Sequence, residues 1–206
     1  MAVFADRADA GRRLAGRLGR WREADAVVVG IARGGVAVSA AAAAELGLPA
    51  TAIAVRKLGV PGHEEGAFGA IADGVRLIDE RTRRAAGVTD AQSAGVEERE
   101  RDLLARRRAL IPDAGRALGG KSVLLVDDGV ATGATANAAG RALRAASPAR
   151  IVLAVPVAPA AWRPDHDAAD DYVCVHPDAD FWAVGAYYDD FGQITDAEVA
   201  RLLGGG

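Results

Sequence analysis

The stretch from Lys121 to Thr135, KSVLLVDDGVATGAT, constrains the fold more than any other part of the chain. Ser122 to Val126 is a run of aliphatic and β-branched residues without polar alternation, the pattern of a strand covered on both faces in a parallel sheet. It ends on two adjacent carboxylates, Asp127 and Asp128. Gly129, Gly133 and the hydroxyls of Thr132 and Thr135 then form a small-residue turn, and Ala134 to Ala146 is alanine-rich enough to continue as a helix. The start of a helix carries unpaired N–H groups and the positive end of the peptide dipoles, so the turn is an anion cradle beside a pair of carboxylates. A ligand with a sugar diol and a nearby phosphate suits both halves.

The chain before this stretch repeats the arrangement. Asp6 is placed to cap a helix whose apolar positions Leu14, Leu18 and Trp21 recur at helical spacing. Ala26 to Ala32 reads as a buried strand, and Arg33-Gly34-Gly35 turns it into a helix from Val36 to Leu46 that ends at Gly47. This glycine turn fits a second phosphate site and an ordinary tight connection equally well. Thr51 to Val55 is a further strand, running out into Arg56 and Lys57. Gly59, Pro61, Gly62, Gly66 and Gly69 predict that the following segment lacks regular structure and is free to move, with His63, Glu64 and Glu65 as solvated charges. Ala67–Ala72 and Val75–Asp79 flank Asp73-Gly74, a hairpin signal.

Asp90 to Leu110 predicts a charged helix with pairs Glu97/Arg101 and Asp102/Arg106 at favourable spacing and Arg106 to Arg108 on a solvated face. Pro112 and the glycines at 115, 119 and 120 interrupt the chain before the central strand. After the central helix, Arg150 to Val157 predicts a parallel strand that exits at Pro156 and Pro159, a helix leading onward, and a last strand in ADDYVCV. Phe181, Trp182, Tyr187, Tyr188 and Phe191 crowd together, and core or dimer contacts are the ordinary fate of such a cluster. Thr195 to Leu203 is a capped helix with Asp196 and Glu198 in its first turn.

The alternation implies an α/β fold, a parallel sheet flanked by helices, as one domain over residues 1–206 with a strand-rich insertion at about 56–79. Ligands of such sheets bind at the carboxyl ends of the strands. With 25 basic and 28 acidic residues well mixed, net charge −3, nothing favours nucleic acid or an acidic membrane as partner. Cys174, the single cysteine, sits in an apolar run and reads as a small core residue, which fits a reducing cytoplasm. No apolar run reaches membrane-span length, and the first residues lack the hydrophobic stretch of a signal peptide. Gly115 to Ser122, GRALGGKS, has the spacing of a Walker loop, but it leads into the strand Ser122 to Val126 instead of following a strand and opening a helix, so the context of a Walker loop is missing. A receiver-like acidic site is disfavoured because its carboxylates lie near the chain start and lack a Thr-Gly-x-Thr turn.

VLLVDDGVATGAT resembles the phosphoribosyl pyrophosphate signature of the type I phosphoribosyltransferases. The resemblance implies a Rossmann-like sheet with a flexible lid at about 56–79 and a small hood at about 176–193. It further implies that Asp127 and Asp128 hold the ribose hydroxyls and meet Mg²⁺ only indirectly, through ribose or water. Ala131, Thr132, Gly133, Ala134 and Thr135 would hold the 5-phosphate. Arg33, Gly34 and Gly35 match the pyrophosphate loop, Arg56 and Lys57 the lid base, and Trp182 is the candidate ring over a base. Gly129 departs from the family's usual side chain at that place, loosening the turn without removing a polar contact. The stretches RKLGVPGHEEGAFGAI and WAVGAYYDDFGQITDAEV are similar to bacterial phosphoribosyltransferases of unassigned acceptor. The activity implied is Mg²⁺-dependent transfer of a phosphoribosyl group to a small nitrogenous acceptor by a cytoplasmic homodimer. A phosphoribosyl pyrophosphate-binding regulator and a phosphoribosyl hydrolase are the alternatives. Ala131 stands where enzymes acting on 6-oxopurines carry an Asp, which makes adenine the favourite among common bases.

Overall fold

Apolar runs without alternation need cover on both faces, and the chain supplies it. The computed structural model describes residues 2–109, 111 and 118–204, with the backbone alone for residues 63–65. Helix α1 (Arg7–Arg17) starts where the Asp6 carboxylate accepts from the Asp9 N–H. Strand β1 (Ala26–Ala32) is buried along its whole length and passes directly into α2 (Gly34–Leu46). Strands β2 (Ala50–Val60), β3 (His63–Ala72) and β4 (Val75–Ile78) follow as two hairpins, then the short α3 (Glu80–Ala85) and the long α4 (Asp90–Arg108). The central strand β5 (Ser122–Val126), helix α5 (Ala134–Arg144), strands β6 (Arg150–Pro159) and β7 (Asp171–Asp178) and helix α6 (Asp196–Gly204) complete the order.

All strands join one seven-stranded sheet in the order β4-β3-β2-β1-β5-β6-β7. The pairs β2–β1, β1–β5, β5–β6 and β6–β7 are parallel, and the two hairpin pairs are antiparallel. Side-chain alternation divides the strand residues between two layers. Val27, Val29, Ile31, Val123, Leu125, Ile151 and Leu153 pack with Ala139 and Leu143 of α5 on one face. Val28, Leu124, Val126 and Val152 pack with Leu14 and Leu18 near α1 and with Val38 and Leu46 of α2 on the other. A smaller core joins Leu58, Phe68 and Ile71 of the first hairpin to Val88 and to Val96 of α4.

Several expectations change. Residues 56–66 are not irregular: β2 continues to Val60 and turns at Pro61-Gly62 into β3, with register shifts around Gly59. Glycine and proline sit at a bulge and a turn, where strands accept them. No helix precedes β7. The connection from Ala160 to Asp170 is a series of turns, held to α5 by Arg141 on Asp165 and Asp167 and by Arg144 on Asp170. Pro156 lies inside β6, beyond Ala154 where pairing with β5 stops, so its missing N–H breaks no ladder there. Glu97 pairs with Arg101, but Asp102 and Arg106 make no ion pair among the described residues. Leu110, Pro112 and Gly115 lie outside the described residues.

Candidate functional site

Strands β1 and β5 are neighbours, with Gly30 beside Val126, and the helices that follow them leave on opposite faces of the sheet. Strand order reverses at this point, which opens a crevice at the carboxyl ends. Arg33 to Gly35 form one lip and Asp127 to Thr135 the other. The lips touch: a Cβ on Gly34 would collide with Oδ2 of Asp128, and one on Gly35 would lie 2.5 Å from the Val126 carbonyl oxygen. Only glycine lets the two loops approach this closely. The Ala32–Arg33 peptide bond is cis.

Each carboxylate has one oxygen committed to the protein and one left over. Oδ1 of Asp127 accepts from the Asp128 N–H at 3.0 Å, and Oδ2 of Asp128 accepts from Nε of Arg7 at 2.8 Å. Among the described residues, Oδ2 of Asp127 and Oδ1 of Asp128 have no hydrogen-bond partner. Burial and then the neighbouring Asp128 charge push the Asp127 carboxyl well above the usual range. Burial raises Asp128 as well, opposed by Arg7 and Lys57. Hydroxyl donors or a cation arriving here would relieve two crowded, desolvated carboxylates.

Beyond the carboxylates, Gly133 caps α5 in the left-handed region at φ 86°, with no side-chain hydrogen bond at the cap. The first-turn N–H groups of α5 therefore point outward without a capping side chain. Thr132 and Ala131 are exposed, Ala134 and Thr135 partly so, and the buried Oγ1 of Thr135 has no hydrogen-bond partner. Trp162, from the turns after β6, lies against this loop, so that a Cβ on Gly133 would meet its ring at 2.5 Å. Gly129 is also a packing requirement, since a Cβ there would fall 2.6 Å from Val184 and 2.9 Å from Val157. The turn is tight at Gly129, not loosened.

The expected cations are distributed unequally. Lys57 is exposed, and its charge acts on both carboxylates. Its neighbour Arg56 points to the other face of β2, where Nε donates to Oε2 of Glu100 on α4 at 2.7 Å. Arg33 is partly buried at the start of α2. Arg107, read from sequence as part of a solvated face, instead turns inward, its Nε buried without a hydrogen-bond partner and 3.7 Å from Asp196. Burial, then the nearby charges of Arg56 and Arg33, lower its hold on its proton. Trp182 is 86% exposed and free to meet a ligand.

Four participants were missed by the sequence reading: Arg7, Tyr188, Trp162 and Arg107. Tyr188 donates its hydroxyl to the Asp128 carbonyl at 2.6 Å, and its ring packs on Phe4 and Phe191. Only the aromatic crowding near Tyr188 gave a signal; Arg7, Arg107 and Trp162 resemble any other surface arginine or tryptophan until the chain folds.

Residues 5–190 match the phosphoribosyl transferase domain family. The chain belongs to the phosphoribosyl transferase family. A Mycobacterium tuberculosis H37Rv protein, provisionally named a phosphoribosyl transferase, is 42% identical over 98% of this chain. The alignment takes in 47% of that protein, so the chain spans about half the length of the curated relatives it matches. The crystal structure of TT1426 from Thermus thermophilus superposes with a TM-score of 0.71 at 38% identity, covering 98% of both chains. A Neisseria gonorrhoeae hypothetical protein solved with bound ppGpp shares the fold at a TM-score of 0.54 and 16% identity, covering 99% of this chain and 96% of its own. The family is one of transferases, and its fold puts this chain's crevice where the sheet changes direction.

Proposed function

We propose that the chain transfers the 5-phosphoribosyl group of phosphoribosyl pyrophosphate to a small nitrogenous acceptor and releases pyrophosphate. The observation that carries this is the pair of unbonded carboxylate oxygens on Asp127 and Asp128 beside the uncapped start of α5. Two acceptor oxygens match the two ribose hydroxyls, and the N–H groups and hydroxyls of Thr132 to Thr135 match the 5-phosphate. The acceptor nitrogen bonds to the anomeric carbon as its bond to the pyrophosphate oxygen breaks. The bonding electrons leave with pyrophosphate, and the acceptor loses a proton.

Such a step builds positive charge on the sugar and negative charge on the leaving group, so rigid placement of both is what the protein contributes. Arg33 and the closely packed Gly34-Gly35 backbone would receive the pyrophosphate, with Lys57 reaching it from β2. Arg56 joins them only by leaving Glu100. Trp182 would cover the acceptor. The carboxylates fit Mg²⁺ in a particular way. Among the described residues no group of three or more His, Cys, Asp or Glu could hold a metal, so the cation would take its other ligands from the substrate and water. Mg²⁺ bound there would neutralise the leaving pyrophosphate. Ala131 cannot exchange a proton, which argues against hypoxanthine and guanine and for adenine or another amine-bearing acceptor.

Calorimetric titration with phosphoribosyl pyrophosphate should show saturable binding that strengthens with Mg²⁺. No binding in either condition refutes the proposal. Pyrophosphate release should then appear with one member of a panel of bases and amines. Binding without turnover would favour a regulator, and ribose 5-phosphate formed without any acceptor would favour a hydrolase.

A further inference from the structure

Arg7 belongs to none of the segments assigned to ligand contact, yet it is a buried arginine engaged on three sides. Nε donates to Oδ2 of Asp128 at 2.8 Å, Nη1 donates to the Gly192 carbonyl at 2.8 Å, and the guanidinium lies 3.9 Å from the centre of the Phe191 ring. The segment around it is stitched to the C-terminal region by main-chain bonds. The Val3 and Phe4 N–H groups donate to the Tyr187 carbonyl, while Asp189 and Asp190 donate back to the carbonyls of Phe4 and Ala5. Tyr188 meanwhile holds the main-chain carbonyl of Asp128. Asp128 is thus tied to residues 188–192 twice, through its backbone by Tyr188 and through its carboxylate by Arg7.

We propose that Arg7 is a positioning residue: it fixes which oxygen of Asp128 faces the ligand and couples that carboxylate to the segment Tyr188 to Gly192 that follows Trp182. This rests on the phosphoribosyl reading above. With Oδ2 clamped by Arg7 and the glycine loop pressed against the same oxygen, Oδ1 is the atom presented to the crevice. A guanidinium suits the task because its planar fork serves two acceptors at fixed angles while one face lies on an aromatic ring, which an ammonium cannot do. The sugar site and the acceptor side would therefore be set by one side chain that touches neither substrate.

The test compares the wild type, Arg7→Lys, Arg7→Met and Arg7→Ala in the whole 206-residue chain, first by titration with phosphoribosyl pyrophosphate and Mg²⁺. Loss of a charge-assisted, partly buried hydrogen bond corresponds to about a ten- to hundredfold loss of affinity in Arg7→Met. Arg7→Lys should fall between the two. Hydrogen exchange then reads the coupling: ligand should slow exchange of residues 182–192 in the wild type and leave it unchanged in Arg7→Met. Free guanidinium ion, at concentrations that leave the melting temperature unaltered, should partly restore binding to Arg7→Ala. Arg7→Met binding as tightly as the wild type, with ligand still protecting residues 182–192, overturns the proposal. If Arg7→Met fails to fold, Arg7→Lys decides, and wild-type affinity together with wild-type protection overturns it equally. A wild type that does not bind phosphoribosyl pyrophosphate refutes the proposed function, and this inference falls with it.

Discussion

Asp127 shows how far the site departs from what stability alone would select. Its carboxyl is raised by burial and by Asp128, so it binds its proton more tightly in the folded chain than in the unfolded one. Stability is therefore fullest below the ordinary carboxyl value of 3.8 and declines as pH rises toward and through the folded value. Asp127→Asn removes that penalty and keeps Oδ1 as an acceptor for the Asp128 N–H. The ligand-free variant should melt higher than the wild type at neutral pH, each kcal/mol relieved appearing as about 2–4 °C at this chain length. The gain should vanish near pH 3.5 to 4, about where an unperturbed carboxyl is itself protonated. Binding of phosphoribosyl pyrophosphate should be lost in the same variant. Thermal melts across pH check the first part; a variant less stable at neutral pH would show that the carboxylate is a structural acceptor. The sequence announced Asp127 and Asp128 because they end an apolar run, but it could not announce Arg7, whose contact with Asp128 spans 121 residues of chain.

Local elements were legible where periodicity and a cap agreed. The strand Ser122–Val126 and the helix beginning at Ala134 stand where they were expected, and the Asp6 and Thr195 caps hold. The helix expected before β7 failed because the alternation of strand and helix was extended into a segment with no helical periodicity of its own. Asp165, Asp167 and Asp170 are instead bound to arginines of α5, and this fixes Trp162 against the loop that opens α5. Gly133 should accordingly tolerate no side chain. Gly133→Ala combines a left-handed backbone with a clash against the Trp162 ring, and about 1–3 kcal/mol of stability should be lost from the backbone alone. In Gly133→Ala combined with Trp162→Ala the clash goes but the backbone strain stays, so stability should recover in part while ligand affinity remains weak. Denaturant titration and calorimetry separate the two, and full recovery of both would assign no role to the loop's conformation.

The molecule as a whole makes the lid question one of sheet mechanics. Glycines and Pro61 suggested a loose loop, yet β2 enters the core as a parallel strand and leaves it as half of an antiparallel hairpin in the same sheet. The hairpin's lower part is pinned by Leu58, Phe68 and Ile71 against Val88 and Val96, while register shifts around Gly59 interrupt the ladder just beyond. Movement over the crevice would then be confined to the part beyond that bulge, with Lys57 at its fixed base and Arg56 held by Glu100. Buried, ladder-bonded amides open only with larger units of structure, whereas a short hairpin tip opens by itself. Hydrogen exchange of the ligand-free protein should therefore split at Gly59: slow for residues 50–58 and 67–72, fast for 59–66. Phosphoribosyl pyrophosphate with Mg²⁺ should slow the tip and leave the base unchanged. Glu100→Gln, which releases Arg56 without touching the hairpin core, should raise ligand affinity if Arg56 moves to the pyrophosphate. Uniform fast exchange across residues 50–72 would mean that the hairpin opens as a unit from the sheet, and an unchanged or weaker affinity in Glu100→Gln would keep Arg56 as an anchor of α4.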